Sequence, residues 1–357
     1  MLNNVISLQK SKKKSAFVCY IDAKKAFDSI NRACLWYKIQ KIGINGKFLK
    51  AIQSLYDDVT CAVRINGALS NFFPVENGVK QGCLLSPALF SIYVNDLATE
   101  IKNLQCGIHM GDRNISIMMF ADDIALISDS EANLQKMIDH VNIWCKRWRL
   151  RLNLEKTKIV HYRHTSQPRT EHVFKYGHEN IGLCDKYKYL GLYLNEFLDY
   201  GVTVRHLSTS ANRALGALHT KVKLIGGMAY DIYSKLYNSL VTPVLNYGSA
   251  LWGTANYRCA NTIQNRACRF FLGVGSHTST NAIRAEMGWS PQLHKQYIEV
   301  LRLYCRLRSL EPGRLARDVH ISGLGVKCKS IWESRVTRLS KSMSFTLPVG
   351  EFRAQMF

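Results

Sequence analysis

A chain of 357 residues with 47% hydrophobic and 21% charged side chains has room for two or three packed units and the composition of a globular protein, which excludes intrinsic disorder, a collagen-like repeat and a coiled coil. Lysine and arginine number 48 against 26 acids, 27 to 19 in residues 1–199 and 21 to 7 thereafter, so a polyanionic partner is expected, and nucleic acid suits it better than an anionic membrane surface. The absence of a long apolar run or a secretory signal leads us to expect no membrane partner and an intracellular protein, nuclear or cytoplasmic, and the 11 cysteines, which form no CxxC pair, read as reduced thiols buried at Cys19, Cys83 and Cys145.

In chain order, Lys12 to Lys14 reads as a solvated turn or as a nuclear signal. Phe17-Val-Cys-Tyr-Ile21 predicts a short buried strand ending at Asp22. The spacing of Ala26, Phe27, Ile30, Leu35, Ile39 and Ile42 predicts a helix over 23–42 closed by Gly43, so a carboxylate stands where strand gives way to helix. A second amphipathic stretch covers 46–57, segments 62–65 and 72–75 flank Asn66-Gly67 as a hairpin, and 78–82 is a loop. Pro87 heads an apolar helix over 88–101. Segments 115–120 and 124–127 are strand-like and leave Asp122 and Asp123 at or beside a hairpin turn. Ser128-Asp-Ser-Glu131 has the form of a capping box, followed by a helix face of Leu134, Met137, Ile138, Val141, Cys145 and Trp148. A strand over 154–162, a polar loop over 163–172 and short strands with turns over 173–194 follow. Beyond residue 200 the pattern is helical: 204–224, a break at Gly226-Gly227, then 230–245, 262–272, 280–287 and 293–310.

Carboxylates at strand ends suit one kind of chemistry. Nucleotidyl transfer needs an activated hydroxyl and a neutralised leaving pyrophosphate, and two divalent ions about 3.5–4 Å apart achieve both. Such hard ions take oxygen ligands, which an Asp ending one strand beside an Asp-Asp hairpin on its neighbour would supply. Asp57-Asp58 is a second pair, read as a solvated helix end. Asp122-Asp123 is instead bracketed by β-branched and apolar residues, where two like charges are costly unless a cation or the surface compensates them. From these residues alone, a metal site and an exposed turn both stand.

The motifs also resemble a known family. Phe17-Val-Cys-Tyr-Ile-Asp22-Ala-Lys-Lys-Ala-Phe27-Asp28 is similar to the first catalytic motif of reverse transcriptases, and Phe120-Ala-Asp122-Asp123 to their aromatic-x-Asp-Asp signature. Between them, Gly78-Val-Lys-Gln81-Gly82-Cys-Leu-Leu-Ser86-Pro87-Ala-Leu-Phe90 resembles the motif lining the template and nucleotide pocket. Downstream, Leu152-Asn-Leu-Glu-Lys156-Thr-Lys158 resembles the fourth palm motif, and Tyr187-Lys-Tyr189-Leu190-Gly191 the primer-grip hairpin. The stretch from Leu236 through Pro243, Tyr247-Gly248 and Trp252 is similar to the region after the palm in retrotransposons lacking long terminal repeats.

The resemblance implies an α+β fold: a polymerase palm, with an antiparallel sheet and helices on one face, over 1–199 with a remnant of the fingers, an all-helical thumb over 200–275, and a basic helical C-terminal region over 276–357. It implies an RNA-directed DNA polymerase that adds deoxynucleotides to a DNA primer on an RNA template. Two magnesium ions, with manganese as the alternative, are held by Asp22, Asp122 and, more weakly, Asp123, with the Ala23 carbonyl completing a shell. Phe27 is expected as the steric gate against a 2′-hydroxyl, or else as helix core. Gln81 and Gly82 contact the incoming nucleotide or template, or form a plain loop. Lys156 donates a proton to pyrophosphate or holds a phosphate, or is a solvated strand lysine. Tyr189, Leu190 and Gly191 position the primer end. Arg266, Arg269, Phe270 and Phe271 suit a duplex-gripping thumb, although many such aromatics are core.

The chain begins 21 residues before Asp22, so most of the fingers, whose basic side chains hold the triphosphate in this family, are expected to be missing. A partner chain supplying fingers or endonuclease is therefore expected. The competing reading is an inactive remnant that binds RNA or RNA/DNA duplex; a relative that reads another template or assists splicing stands third. No Cys/His knuckle is evident, and His161 and His164 are expected at solvent-exposed strand ends.

Overall fold

The computed structural model describes residues 1–324 and 330–342, arranged in two compact units. One, Ser15–Tyr187, carries the main sheet; the other joins Met1–Lys14 to the chain from Lys188 and is largely helical. Helix and strand are both present, the α+β class expected.

The first helix, α1 (Leu2–Ser11), belongs to the helical unit, and the exposed Lys12, Lys13 and Lys14 form the turn after it. In the sheet unit the elements run β1 (Ala16–Ile21), α2 (Arg32–Lys41), α3 (Gly46–Ser54), and four two-residue strands: β2 (Thr60–Cys61), β3 (Arg64–Ile65), β4 (Ala68–Leu69) and β5 (Phe73–Pro74). Then come α4 (Ser86–Asn103), β6 (Ile108–Met110), β7 (Arg113–Ile115), β8 (Ile117–Phe120), β9 (Asp123–Ser128), α5 (Glu131–Arg147) and β10 (Lys158–Tyr162). Three short strands follow, β11 (Lys175–Tyr176), β12 (Glu179–Asn180) and β13 (Leu183–Cys184); the unit boundary falls within β14 (Lys186–Tyr189).

The main sheet has the order β13-β10-β1-β9-β8, with β1 central and antiparallel to both neighbours. Period-2 alternation divides β1 between two buried faces. Phe17, Cys19 and Ile21 enter a core shared with Leu35 and Ile39 of α2, Leu89, Phe90 and Leu97 of α4, and Leu134, Ile138 and Trp144 of α5. Val18 and Tyr20 face the other way and are equally buried.

Several sequence expectations need correction. The helix over 23–42 is shorter, because Lys24 N–H donates to Arg151 O (2.8 Å), Ala23 bridges Leu152, and Lys25 takes φ +50°. These hold residues 24–29 in turns, and α2 begins only after Asn31, whose side chain accepts from Cys34 N–H at 3.0 Å. The capping residue of α5 is Ser130, which accepts from Asn133 N–H (3.3 Å); Ser128 instead donates to Cys106 O (2.9 Å). His161 is buried, stacked on Phe17 with ring centroids 4.3 Å apart, and Cys83 is only half-buried. The Asn66-Gly67 hairpin is tighter than expected: β3 and β4 meet directly around the turn, while β5 pairs with β2 farther out.

The helical unit contains β15 (Leu192–Asn195), α6 (Gly201–Leu224), α7 (Tyr230–Leu236), α8 (Thr242–Leu245), α9 (Ser249–Trp252) and α10 (Arg258–Leu272), then α11 (Thr280–Glu286), α12 (Gln292–Ser309), α13 (Leu315–Leu324) and α14 (Ile331–Ser342). The helix expected over 230–245 is interrupted by a π-helical turn at Tyr237–Val241, just ahead of Pro243, which has no N–H for the α-helical ladder. Tyr200 Oη donates to Asn3 Oδ1 at 2.6 Å, tying α1 to the start of α6. Among the described residues no helix is long and apolar enough to cross a membrane. Residues 325–329 and 343–357 of the expected C-terminal region lie outside the described residues.

Candidate active site

Asp22 follows directly on β1, and the register Ile21↔Ile124 sets it beside Asp123, the first residue of β9. Phe120 pairs with Asp123, which makes Ala121-Asp122 a two-residue hairpin turn with φ +52° at Ala121, a conformation that costs a non-glycine residue roughly 1–2 kcal/mol. The turn leaves Asp122 exposed and Asp123 half-buried. Burial first, then the charges of Asp122 and Asp22, raise the Asp123 carboxyl above an ordinary aspartate. The three carboxylates therefore share one electrostatic neighbourhood.

Asp22 is fixed from the opposite side by the 153–157 segment. Its N–H donates to Thr157 Oγ1 at 3.2 Å and its carbonyl accepts from Asn153 N–H at 2.8 Å, with Thr157 fully buried. The Ala23–Leu152 bridge is of the kind whose residues do not bond each other, since the ladder bonds run from the flanking Lys24 and Asn153. The Ala23 carbonyl consequently points away from Leu152.

The loop after β5 docks on the turn after Ala23. Gly78 N–H donates to Ile30 O (2.8 Å), Val79 N–H to Phe27 O (2.9 Å), and Gln81 Nε2 to Asp28 Oδ1 (2.9 Å). Arg32 locks the loop from behind through Gly78 O (3.0 Å) and Tyr56 O (3.2 Å). Phe27 is half-buried and stacks on Phe90, with centroids 5.0 Å apart.

Six sequence-expected residues, Asp22, Ala23, Phe27, Gln81, Asp122 and Lys156, line one cavity of roughly 360 Å³, together with Lys24, Lys25, Ala26 and Asn153. Asp123 and Gly82 stand outside its wall, Gly82 as an exposed loop residue at φ +84°. Tyr189, Leu190 and Gly191 fall in the helical unit, where Leu190 (φ +46°) and Gly191 (φ +81°) form the turn between β14 and β15. Tyr247 Oη donates to Leu190 O at 3.0 Å, and a Cβ on Gly191 would lie 2.8 Å from a Tyr247 ring carbon, so the turn and the Tyr247-Gly248 motif are built against each other. In the same unit Phe270 stacks on His219 (3.6 Å) and Phe271 on Tyr233 (4.8 Å), while Arg266 bonds Asn212 and Arg269 bonds Thr278.

Sequence reasoning missed three neighbours. Asn153 and Thr157 hold the Asp22 backbone, and Tyr187 stacks on Tyr20 at 4.4 Å with its phenol pushed up to about 12, by burial and then by Asp22 and Asp123. Only their place inside quoted motifs marked them.

A cation would relieve the repulsion that Asp123 registers, and carboxylate and carbonyl oxygens are the donors that magnesium takes. Among the described residues no three His, Cys, Asp or Glu side chains are grouped so as to hold a metal ion.

Residues 2–194 match the family described as reverse transcriptase (RNA-dependent DNA polymerase). The chain is 26% identical over 339 residues to the RNA-directed DNA polymerase from mobile element jockey of Drosophila funebris, covering 92% of this chain and 36% of that protein. It is 28% identical over 261 residues to the probable RNA-directed DNA polymerase from transposon BS of Drosophila melanogaster, covering 70% and 28%. The chain thus spans about a third of the length of the curated relatives it matches, and these relatives bear out the expected likeness to retrotransposons lacking long terminal repeats. Among solved structures, apo telomerase from Candida tropicalis aligns with a TM-score of 0.43 and 14% identity, over 96% of this chain and 54% of that one.

Proposed function

We propose that this chain, which belongs to the reverse transcriptase family, is the catalytic core of an RNA-directed DNA polymerase that extends a DNA primer with deoxynucleoside triphosphates on an RNA template. The observation that carries this is the single cavity in which residues from four separate motifs meet: Asp22 and Phe27, Gln81, Asp122, and Lys156. In the reaction a bond forms from the primer 3′-oxygen to the α-phosphorus, the α–β anhydride bond breaks, and its electron pair leaves with pyrophosphate.

Asp22 and Asp122 would hold two magnesium ions, or manganese in their place, with Asp123 behind them and the Ala23 carbonyl in one shell. When bound, the ions supply Lewis-acid activation of the hydroxyl and neutralise charge on the phosphates. Thr157 and Asn153 orient Asp22 through its backbone. Phe27, braced by Phe90, would shape the floor against which a sugar packs and so reject a 2′-hydroxyl. Gln81, held by Asp28, presents its amide to the nucleotide or template, with Gly82 beside it. Lys156 is exposed on the cavity wall, where its ammonium can hold a phosphate or hand a proton to the departing oxygen. The Tyr189-Leu190-Gly191 turn supports the primer end. Residues 1–199 act as palm with part of the fingers, 200–275 as thumb and 276–357 as a basic C-terminal region, acting in the nucleus or cytoplasm.

The test is magnesium-dependent extension of a DNA primer on an RNA template, comparing the chain with an Asp122→Ala/Asp123→Ala variant. Extension by the parent alone supports the reading. No extension by either, with salt-sensitive duplex binding by both, would point instead to a binding remnant.

A further inference from the structure

Residues 59–75 of the sheet unit form a two-stranded ribbon outside its core. β2, β3, β4 and β5 are exposed throughout, and only Val59, Ala62 and Val75 are even half-buried. A lone ribbon of this kind is at best marginal in water, so a further element is expected to cover it. Val75 N–H donates to Val59 O (2.8 Å) and Ser70 N–H to Val63 O (2.9 Å), so the odd-numbered residues from Val59 to Ile65 turn their backbone inward. The N–H and C=O groups of Thr60, Ala62 and Arg64 therefore point out along the ribbon's edge, where no further strand pairs among the described residues.

The opposite edge is blunted. Pro74 has no N–H to offer, and because Val63 faces Ser70 while Cys61 faces Phe73, an extra residue bulges from that strand. The Thr60–Arg64 edge has neither proline nor bulge. On one face of the ribbon Cys61, Val63 and Ile65 meet Phe73, Ser70 and Ala68, and Val63, Ile65 and Phe73 are 50%, 67% and 45% exposed. Arg64 is the one charged residue between Val59 and Val75 in a chain of net charge +22, so the ribbon offers a polyanion little hold and suits a surface like itself. Charge then selects the register. An antiparallel copy whose Ala62 faces Thr60 sets Arg64 against Asp58 on both sides of a two-fold axis at Cys61, whereas sliding along the strand sets Arg64 against Thr60, Ala62 or Arg64 itself. Arg64 and Asp58 are both exposed, and among the described residues neither has an ion-pair partner.

We propose that this edge is a self-association site, at which two copies of the chain join antiparallel about Cys61 into one four-stranded sheet whose apolar face runs across the two-fold. Thr60 of each copy exchanges backbone bonds with Ala62 of the other, and Arg64 of each meets Asp58 of the other. Cys61 falls at a non-hydrogen-bonded pair, where Cα atoms approach to about 4.5 Å, within reach of a disulfide. Nothing in this pairing depends on catalysis. So few side chains bury less than the roughly 1,200–2,000 Å² of a standard interface, and the dimer is expected to be weak, with Kd on the order of 10 µM.

Sedimentation equilibrium of the full chain from about 1 to 100 µM, under reducing conditions, is expected to show this dimer. Ala62→Pro removes one outward donor from each copy and none from the intrachain ladder, and should weaken association about tenfold or more; Arg64→Glu should do likewise, with Arg64→Lys near the parent. Oxidised glutathione should link the parent through Cys61, two protein thiols giving up two protons and two electrons while the glutathione disulfide is reduced to two thiols. Ala62→Pro should slow this linkage and Cys61→Ser abolish it. A chain that stays monomeric at about 100 µM and forms no Cys61 link, or a dimer indifferent to both Ala62→Pro and Arg64→Glu, overturns the proposal. So does a monomer whose Cys61 is shielded from alkylation by single-stranded RNA, which would assign the ribbon to nucleic acid.

Discussion

Gly78 and Gly82 bracket the loop that carries Gln81 and share a backbone conformation, φ +87° and +84°, but not an environment. A Cβ on Gly78 would lie 2.7 Å from the carbonyl oxygen of Asp28, closer than real Cβ atoms approach, whereas one on Gly82 meets nothing within 4 Å. Alanine at either site carries the cost of a positive φ, roughly 1–2 kcal/mol. Only Gly78→Ala must also displace backbone, which adds about 1–3 kcal/mol if it behaves like an overpacked core. Stiffening of the unfolded chain offsets both by about 0.4–1 kcal/mol and cancels in the comparison. The expected difference between the two variants is therefore about 1–3 kcal/mol, read as a shift in urea midpoint with tryptophan fluorescence as probe. Because Val79 N–H donates to Phe27 O and Gln81 to Asp28, Gly78→Ala should also weaken discrimination between deoxy- and ribonucleotides, with Gly82→Ala much closer to the parent. Equal destabilisation by the two substitutions would show that the loop does not dock on Asp28 in this way.

Thr157→Val removes the acceptor for Asp22 N–H at a fully buried site and should cost about 1–3 kcal/mol in urea unfolding; single-turnover extension should slow more than nucleotide affinity falls, with Thr157→Ser close to the parent. His161 accepts from Thr170 N–H at Nδ1 (3.1 Å) and is held down to about 4, by burial and then by Arg163. An unfolded histidine takes its proton near 6.5, so the folded state should lose stability as pH falls from about 6.5 to 4, by at most about 1.4 kcal/mol per pH unit. His161→Gln should flatten that part of the urea stability profile, and an identical slope in the variant would remove His161 as its source. Tyr247→Phe should cost about 0.5–1.5 kcal/mol through the lost bond to Leu190 O. Gly191→Ala should cost more, and a double-mutant cycle with Tyr247→Ala should recover the steric part but not the cost of φ.

Elements whose stabilising pattern lies within a few residues were legible in the sequence. The buried β1, the hairpin carrying Asp122, the helix headed by Pro87 and the face of α5 all follow from local periodicity and turn chemistry. The turns at residues 24–29 were not legible, because their cause is the pairing of residues 22–24 with Arg151–Asn153, more than 120 positions away. The capping box reads as starting at Ser128, but Cys106 accepts from that hydroxyl and Ser130 caps α5 instead. Buried His161 was misplaced for a similar reason: a polar ring at the end of a strand looks solvated until Phe17 stacks on it from the neighbouring strand.

For the site, recognisable motifs named six residues that line one cavity, while the residues that hold those in place stayed hidden. Thr157 is one hydroxyl among many in the sequence, and its role exists only because β10 brings it under Asp22. The distribution of charge was hidden too. Lys24 and Lys25 belong at once to a wall with Asp22 and Asp122 and to one with Arg149 and Arg151. Across that shared edge the surroundings pass from carboxylates that repel phosphate unless metal is bound to cations that attract it without metal.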